Sequence, residues 1–210
     1  MMPGRLTPQS LLSTLVSMAH PNTEEVLTFS SPGAWARWLR ANGSSSAGVW
    51  LRLARKGSRV KTLSYQEALE EALCQGWVDG QKKSLDDEAW LQRFSRRGPR
   101  SIWSEVNRTK ALRLIRARRM KAAGLAAVQA AKASGRWEKA YASQAKAKVP
   151  GDLAAALKAD PEAQAFFSSL DSRNRYAILF RLHSAAKAET RQRRLDKFVQ
   201  MLKRHEKIYP

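Results

Sequence analysis

The chain is poor in the residues that would announce a reaction. Among its 210 residues stand a single cysteine, Cys74, and three histidines far apart, His20, His183 and His205. A lone cysteine excludes an internal disulfide, and no CxxC or HExxH spacing is present to hold a zinc ion. There is no P-loop, no GxGxxG and no paired carboxylates for acid–base work. Ser104 and Cys74, the candidate nucleophiles, have no histidine close by in sequence. The apolar runs are too short to span a membrane. The composition thus gives no catalytic residue, no metal and no cofactor. Acidic residues are also scarce: 18 Asp/Glu face 38 Lys/Arg, a net charge of +20.

That surplus is unevenly spread. Residues 1–92 carry ten basic and nine acidic side chains, residues 93–148 sixteen and two, and residues 173–210 eleven and three. Between the last two blocks, residues 149–172 hold one lysine against Asp152, Asp160, Glu162 and Asp171. An imbalance of this size favours anionic partners, namely nucleic acid, acidic protein or an anionic envelope component. With 43% hydrophobic residues, the chain has enough apolar content to fold.

Residues 1–28 read as an N-terminal extension. Arg5, the run LLSTLV and Ala19 faintly resemble a secretory leader, but the run is short and broken by Ser13, Thr14 and Ser17, so the expected location is cytoplasmic. Ser31-Pro32 opens a helix, with Trp35, Trp38 and Leu39 on one face. Val49 to Arg55 alternates as a strand. Ser64-x-x-Glu67 is a capping box before a helix that Gly76 stops. Trp77 to Gly80 reads as a short strand, residues 82–88 as a charged loop, and Glu88 to Phe94 as another strand. After Gly98-Pro99 a helix is expected to about Ala117, with Ile102, Val106, Leu112 and Ile115 inside. An alanine-rich helix follows from Leu125. Residues 142–151, ending in Pro150-Gly151, form a candidate linker. Beyond it the pattern is helical throughout, with Asp152, Asp160 and Asp171 as caps. The expected class is α+β: over residues 29–141, N-terminal helices packed on a small, mainly antiparallel sheet, then over residues 152–210 a C-terminal helical bundle.

Two candidate sites stand out. In GWVDG and SIWSEVN, the residues Trp77, Asp79, Gly80, Trp103, Ser104 and Asn107 mix large aromatics with small polar groups and could line a pocket. Ser104 and Asn107, three apart, would share one face near a helix N-terminus, where free N–H groups favour anions. The alternative is plain: tryptophans as core, Asp79 as a turn residue and Ser104 as a cap. The second site is cationic, formed by Arg93, Arg96, Arg97, Arg100, Arg108, Arg113, Arg116, Arg119, Arg191 and Arg194. Basic helices bind phosphate without reading sequence.

The ordered series ALCQGWVDGQKKSLDDEAWLQRF, SIWSEVNR, RMKAAGLAAVQAAKASGRWEKAY, VPGDLAAAL and AAKAETRQRRLDKFVQML resembles the YdeI/OmpD-associated, or bacteriocin-protection, family from about Phe29 to Leu202. The resemblance implies a role in resistance to cationic antimicrobial peptides and association with an outer-membrane porin, with no reaction or cofactor. The sequence departs from the family pattern at Phe94-Ser95-Arg96-Arg97, where a Thr-Pro-Arg step is expected, so that turn is given no ligand role. Three readings follow. The first is a non-enzymatic stress or bacteriocin-resistance protein that binds an anionic or protein partner through its Arg/Lys-rich helices. The second is sequence-nonspecific binding of DNA or RNA. The third is a small-anion or enzyme pocket at Asp79 and Ser104.

Overall fold

The structure, a computed structural model, describes residues 25–210; the reading of the N-terminal extension falls mostly on residues 1–24, outside the described residues. The fold is α+β, with eight helices and a four-stranded mixed sheet among the described residues. The strands are β1 (Val26–Leu27), β2 (Val49–Ala54), β3 (Trp77–Ser84) and β4 (Ala89–Arg96). Their order is β1-β2-β4-β3, parallel between β1 and β2 and antiparallel elsewhere.

Three helices close over this sheet. Helix α1 (Pro32–Asn42) starts where Ser31 accepts from the Ala34 N–H and Pro32 sets the first turn. Helix α2 (Tyr65–Cys74) carries the full capping box, with Ser64 and Glu67 each satisfying the other's backbone N–H. Helix α3 (Glu105–Arg116) begins at Ser104, whose hydroxyl accepts from the Asn107 N–H at 3.1 Å. Trp35, Trp77, Trp103, Phe94 and the inward face of β2 (Val49, Leu51, Leu53) are almost wholly buried in one cluster. The Trp35 indole N–H donates to the Ala68 carbonyl at 3.0 Å, so the polar edge of the ring is satisfied inside the core. Burying one such ring removes roughly 150–250 Å² from water, on the order of 4–6 kcal/mol.

Two expectations are corrected here. The 82–88 segment is not all loop: β3 runs on to Ser84, because Lys82 and Lys83 pair across to Gln92 and Leu91. Helix α3 is also rotated from the expected face. Asn107, Ala111 and Leu114 are buried and Ile115 packs against the core as expected, whereas Ile102, Val106 and Leu112 are exposed. The Asn107 amide bonds inward, and the small Ala111 lets the helix approach α2.

Helix α4 (Ala122–Ala133) packs against the end of α2. Beyond it, α5 (Gly151–Lys158), α6 (Pro161–Ser169), α7 (Ser172–His183) and α8 (Ala188–Lys203) enclose a second apolar cluster. Leu153, Phe167, Ile178, Leu182, Phe198 and Leu202 lie in it. Asp160 and Asp171 cap α6 and α7 through their carboxylates. Asp152 is not a cap: it sits in the first turn of α5 and bonds Arg191 of α8. Asn174 is fully buried, and its carbonyl oxygen accepts from the N–H groups of Ile208 and Tyr209, holding the C-terminal end of the chain. No helix among the described residues is long and apolar enough to cross a membrane.

Candidate functional site

The polar cavity starts from an irregularity in the sheet. Between Asp79 and Lys82 the pairing of β3 with β4 shifts register. Such a bulge leaves carbonyls without ladder partners and re-aims the neighbouring side chain. Gln92 supplies the missing donor: its amide nitrogen bonds the Gly80 and Gln81 carbonyls at 3.0 and 3.2 Å. That is why Gln92 is buried although it is polar.

Asp79, at the bulge, is held on both oxygens. The Tyr65 hydroxyl donates to Oδ2 at 2.8 Å, and the Asn107 amide donates to Oδ1 at 3.3 Å. Ser104 pairs with Tyr141 through an isolated bridge, in which Tyr141 N–H donates to the Trp103 carbonyl and Glu105 N–H to the Tyr141 carbonyl. These groups, with Lys110, line a cavity of about 330 Å³. Burial first, then the charge of Asp79 and its hydrogen bond, push the Tyr65 hydroxyl well above its ordinary value. Burial and Asp79 push Tyr141 up as well. Both tyrosines therefore remain protonated donors across the physiological range.

The structure brings Asp79, Gly80, Ser104 and Asn107 together around this cavity. It takes the two tryptophans elsewhere. Trp77 lies inside the core with its N–H toward the Gly43 carbonyl, and Trp103 meets Trp137 edge-on at 4.8 Å. Tyr65 and Tyr141 were not singled out from sequence. Tyr65 reads there only as the residue after a capping serine, and its partner is fourteen positions away. No histidine lines the cavity among the described residues. Its lining offers hydroxyl, amide and carboxylate groups for hydrogen bonding.

The arginines fall into distinct groups. Arg113 pairs with Glu70, and Arg119 bonds Glu70 at 2.8 Å and Glu71 at 2.6 Å. Arg191 pairs with Asp152 at 2.6 Å, and Arg194 donates to the Arg181 carbonyl and the Ser184 hydroxyl. Arg108 donates to the Trp137 carbonyl. Arg93 stands opposite Trp50 in the sheet, and Arg96 donates to the Ser44 carbonyl at 3.2 Å. Arg97 lies 3.6 Å over the Trp103 ring and donates to the Ile102 carbonyl. Burial draws its guanidinium down to about 10, with the nearby charge of Asp79 opposing that shift. Arg100 and Arg116 are exposed. His183 is exposed, with Nε2 2.8 Å from the Lys139 carbonyl.

The family comparison divides the chain at the same place as its two apolar cores. Residues 146–205, which hold helices α5–α8, match the family described as Bacteriocin-protection, YdeI or OmpD-Associated. Residues 27–127, which include GWVDG and SIWSEVN, match a different family, described as a domain of unknown function, DUF8412. No curated protein and no solved structure matches the chain.

Proposed function

We propose that this protein is a non-enzymatic binding protein of the bacteriocin-protection type, and that it engages an acidic protein or envelope component through its basic helices. The observation that carries this reading is the corner between α3 and α4. Arg116, Arg118 and Lys121 are exposed there within six residues and pair with no carboxylate among the described residues. Their neighbours Arg113 and Arg119, by contrast, are spent on Glu70 and Glu71. Free, clustered cations attract an anionic surface and lose that attraction as salt screens them. A cytoplasmic location is part of the same proposal.

An acidic protein is favoured over single-stranded nucleic acid because stacking surfaces are scarce. Trp35, Trp50, Trp77, Trp103 and Trp137 are buried, and Trp38 and Trp90 pack against the core. Base stacking needs exposed rings. The test is fluorescence anisotropy with labelled polyglutamate, a duplex DNA and an oligo-dT, each over a salt series from 50 to 400 mM, for the native chain and for a charge-reversed variant, Arg116→Glu with Arg118→Glu and Lys121→Glu. Polyglutamate should bind at low salt, with at least a tenfold loss on charge reversal. Absence of binding at 50 mM salt, or no effect of the reversal, would defeat the reading. Tighter binding to either DNA, with a slope set by the phosphates neutralised, would replace it with the nucleic-acid reading.

A further inference from the structure

A larger cavity lies apart from both the Asp79 pocket and the basic corner. It is a groove of about 710 Å³ between the end of α1, the turn after α2, the β4–α3 loop and one face of α4. That volume falls in the range of sites for small organic ligands, roughly 300–1,000 Å³. Its lining is of two chemical kinds. Leu39, Trp103 and the alanines of α4, including Ala123, Ala127 and Ala130, are apolar, whereas Arg40, Arg96, Arg97 and Arg136 are cationic. Among the described residues no carboxylate lines the groove.

The groove thus carries four guanidinium groups with no carboxylate in its lining to neutralise them. Arg97 is held at this groove by the Trp103 ring, 3.6 Å away, and by the Ile102 carbonyl to which it donates. The alanine wall cannot move in to cover the groove, because α4 already rests on the end of α2. Lys121 N–H donates to the Cys74 carbonyl at 3.0 Å, and Gly124 lies too close to that same carbonyl to carry a side chain.

We propose that this groove binds an amphipathic carboxylate: an anionic head set among Arg96, Arg97 and Arg136, and a hydrocarbon body along Ala123, Ala127, Ala130 and Trp103. A bidentate carboxylate matches the forked donors of arginine, and an apolar body fits a wall of methyl groups. The proposal stands apart from the basic corner, since none of Arg116, Arg118 and Lys121 lines the groove.

The experiment is calorimetric titration of the full chain with three probes: dodecanoate below its micelle concentration, dodecanol and acetate. Dodecanoate should bind saturably with one site per chain. Dodecanol and acetate should each bind at least tenfold more weakly, because each offers only half of the recognition. Arg96→Ala combined with Arg136→Ala should weaken dodecanoate at least tenfold and leave dodecanol unchanged. Ala130→Trp, at an exposed helix position that tolerates a large side chain, should block the groove and abolish binding while the far-ultraviolet circular dichroism stays native. Equal affinity for dodecanol and dodecanoate, no saturable dodecanoate binding, or undiminished binding by a folded Ala130→Trp chain would each overturn the proposal.

Discussion

Tyr65 joins two parts of the molecule through one hydroxyl. It lies on the first turn of α2, yet its proton is shared with Asp79 at the sheet bulge. Removing that hydroxyl in Tyr65→Phe takes one donor from a half-buried carboxylate, a loss of about 1–2 kcal/mol at neutral pH. The pH dependence gives a sharper reading. An unfolded tyrosine ionises near pH 10, while burial and Asp79 hold folded Tyr65 and Tyr141 above that value. Below pH 10 both states keep the proton, and the stabilisation is fully present. Above it the unfolded chain releases protons that the folded chain retains, so stability falls as pH rises toward the folded values. Urea midpoints measured from pH 8 to 11.5 should decline above about pH 10, and Tyr65→Phe should decline less steeply than the native chain. Equal slopes would mean that this hydroxyl is not held as described. Asp79, Ser104 and Asn107 were legible from the sequence because glycine, a cap and helical spacing marked them. Tyr65 and Tyr141 were not, because a hydroxyl that reaches across the fold leaves no local pattern.

Elements were read best where local chemistry decides them. The capping box of α2, the Ser-Pro start of α1 and the alternation of β2 depend on neighbours in sequence, and each is present in the structure. The face of α3 was misread for the opposite reason. Its bulky residues suggested the inside, but the tertiary contact is made by Asn107, Ala111 and Leu114, and packing against α2 overrides hydrophobic ranking. The extension of β3 was missed because its two lysines, though exposed, lie over aromatic faces brought in from other strands: Lys82 over Trp90 and Lys83 over Trp50, each at 4.3 Å. The α2–α4 junction yields a prediction at this scale. A Cβ on Gly124 would stand 2.4 Å from the Cys74 carbonyl and 2.8 Å from that of Leu73, both backbone atoms that cannot swing aside. Gly124→Ala should therefore destabilise despite the better helix propensity of alanine. Overpacking of this kind costs about 1–3 kcal/mol, readable as a lowered urea midpoint. A variant as stable as the native chain would show that the helices do not meet so closely.

Across the whole molecule, two buried clusters share no residue. One gathers α1–α4 and the sheet, and the other gathers α5–α8. Between them run a few contacts at the surface of each: the Tyr176 hydroxyl to the Ala142 carbonyl at 3.0 Å, the His183 ring to the Lys139 carbonyl, and Tyr141 edge-on to Phe180 at 5.0 Å. The boundary between the two family matches falls in the same region, after residue 127 and before residue 146. A junction built from a few polar and ring contacts couples two cores weakly, so each should melt largely on its own. The placement of tryptophan makes this testable without a label. All seven tryptophans precede residue 138, so their fluorescence reports the first cluster alone, while far-ultraviolet circular dichroism reports the helices of both. Ile178 is wholly buried at the centre of the second cluster. Ile178→Ala should remove about 2–5 kcal/mol from that cluster. The circular dichroism transition should then split, with its α5–α8 portion moved to lower urea, while the tryptophan midpoint stays where it is in the native chain. If both probes shift together, the two cores unfold as one cooperative unit, and the contacts around Tyr141 and Tyr176 couple them far more strongly than their number suggests.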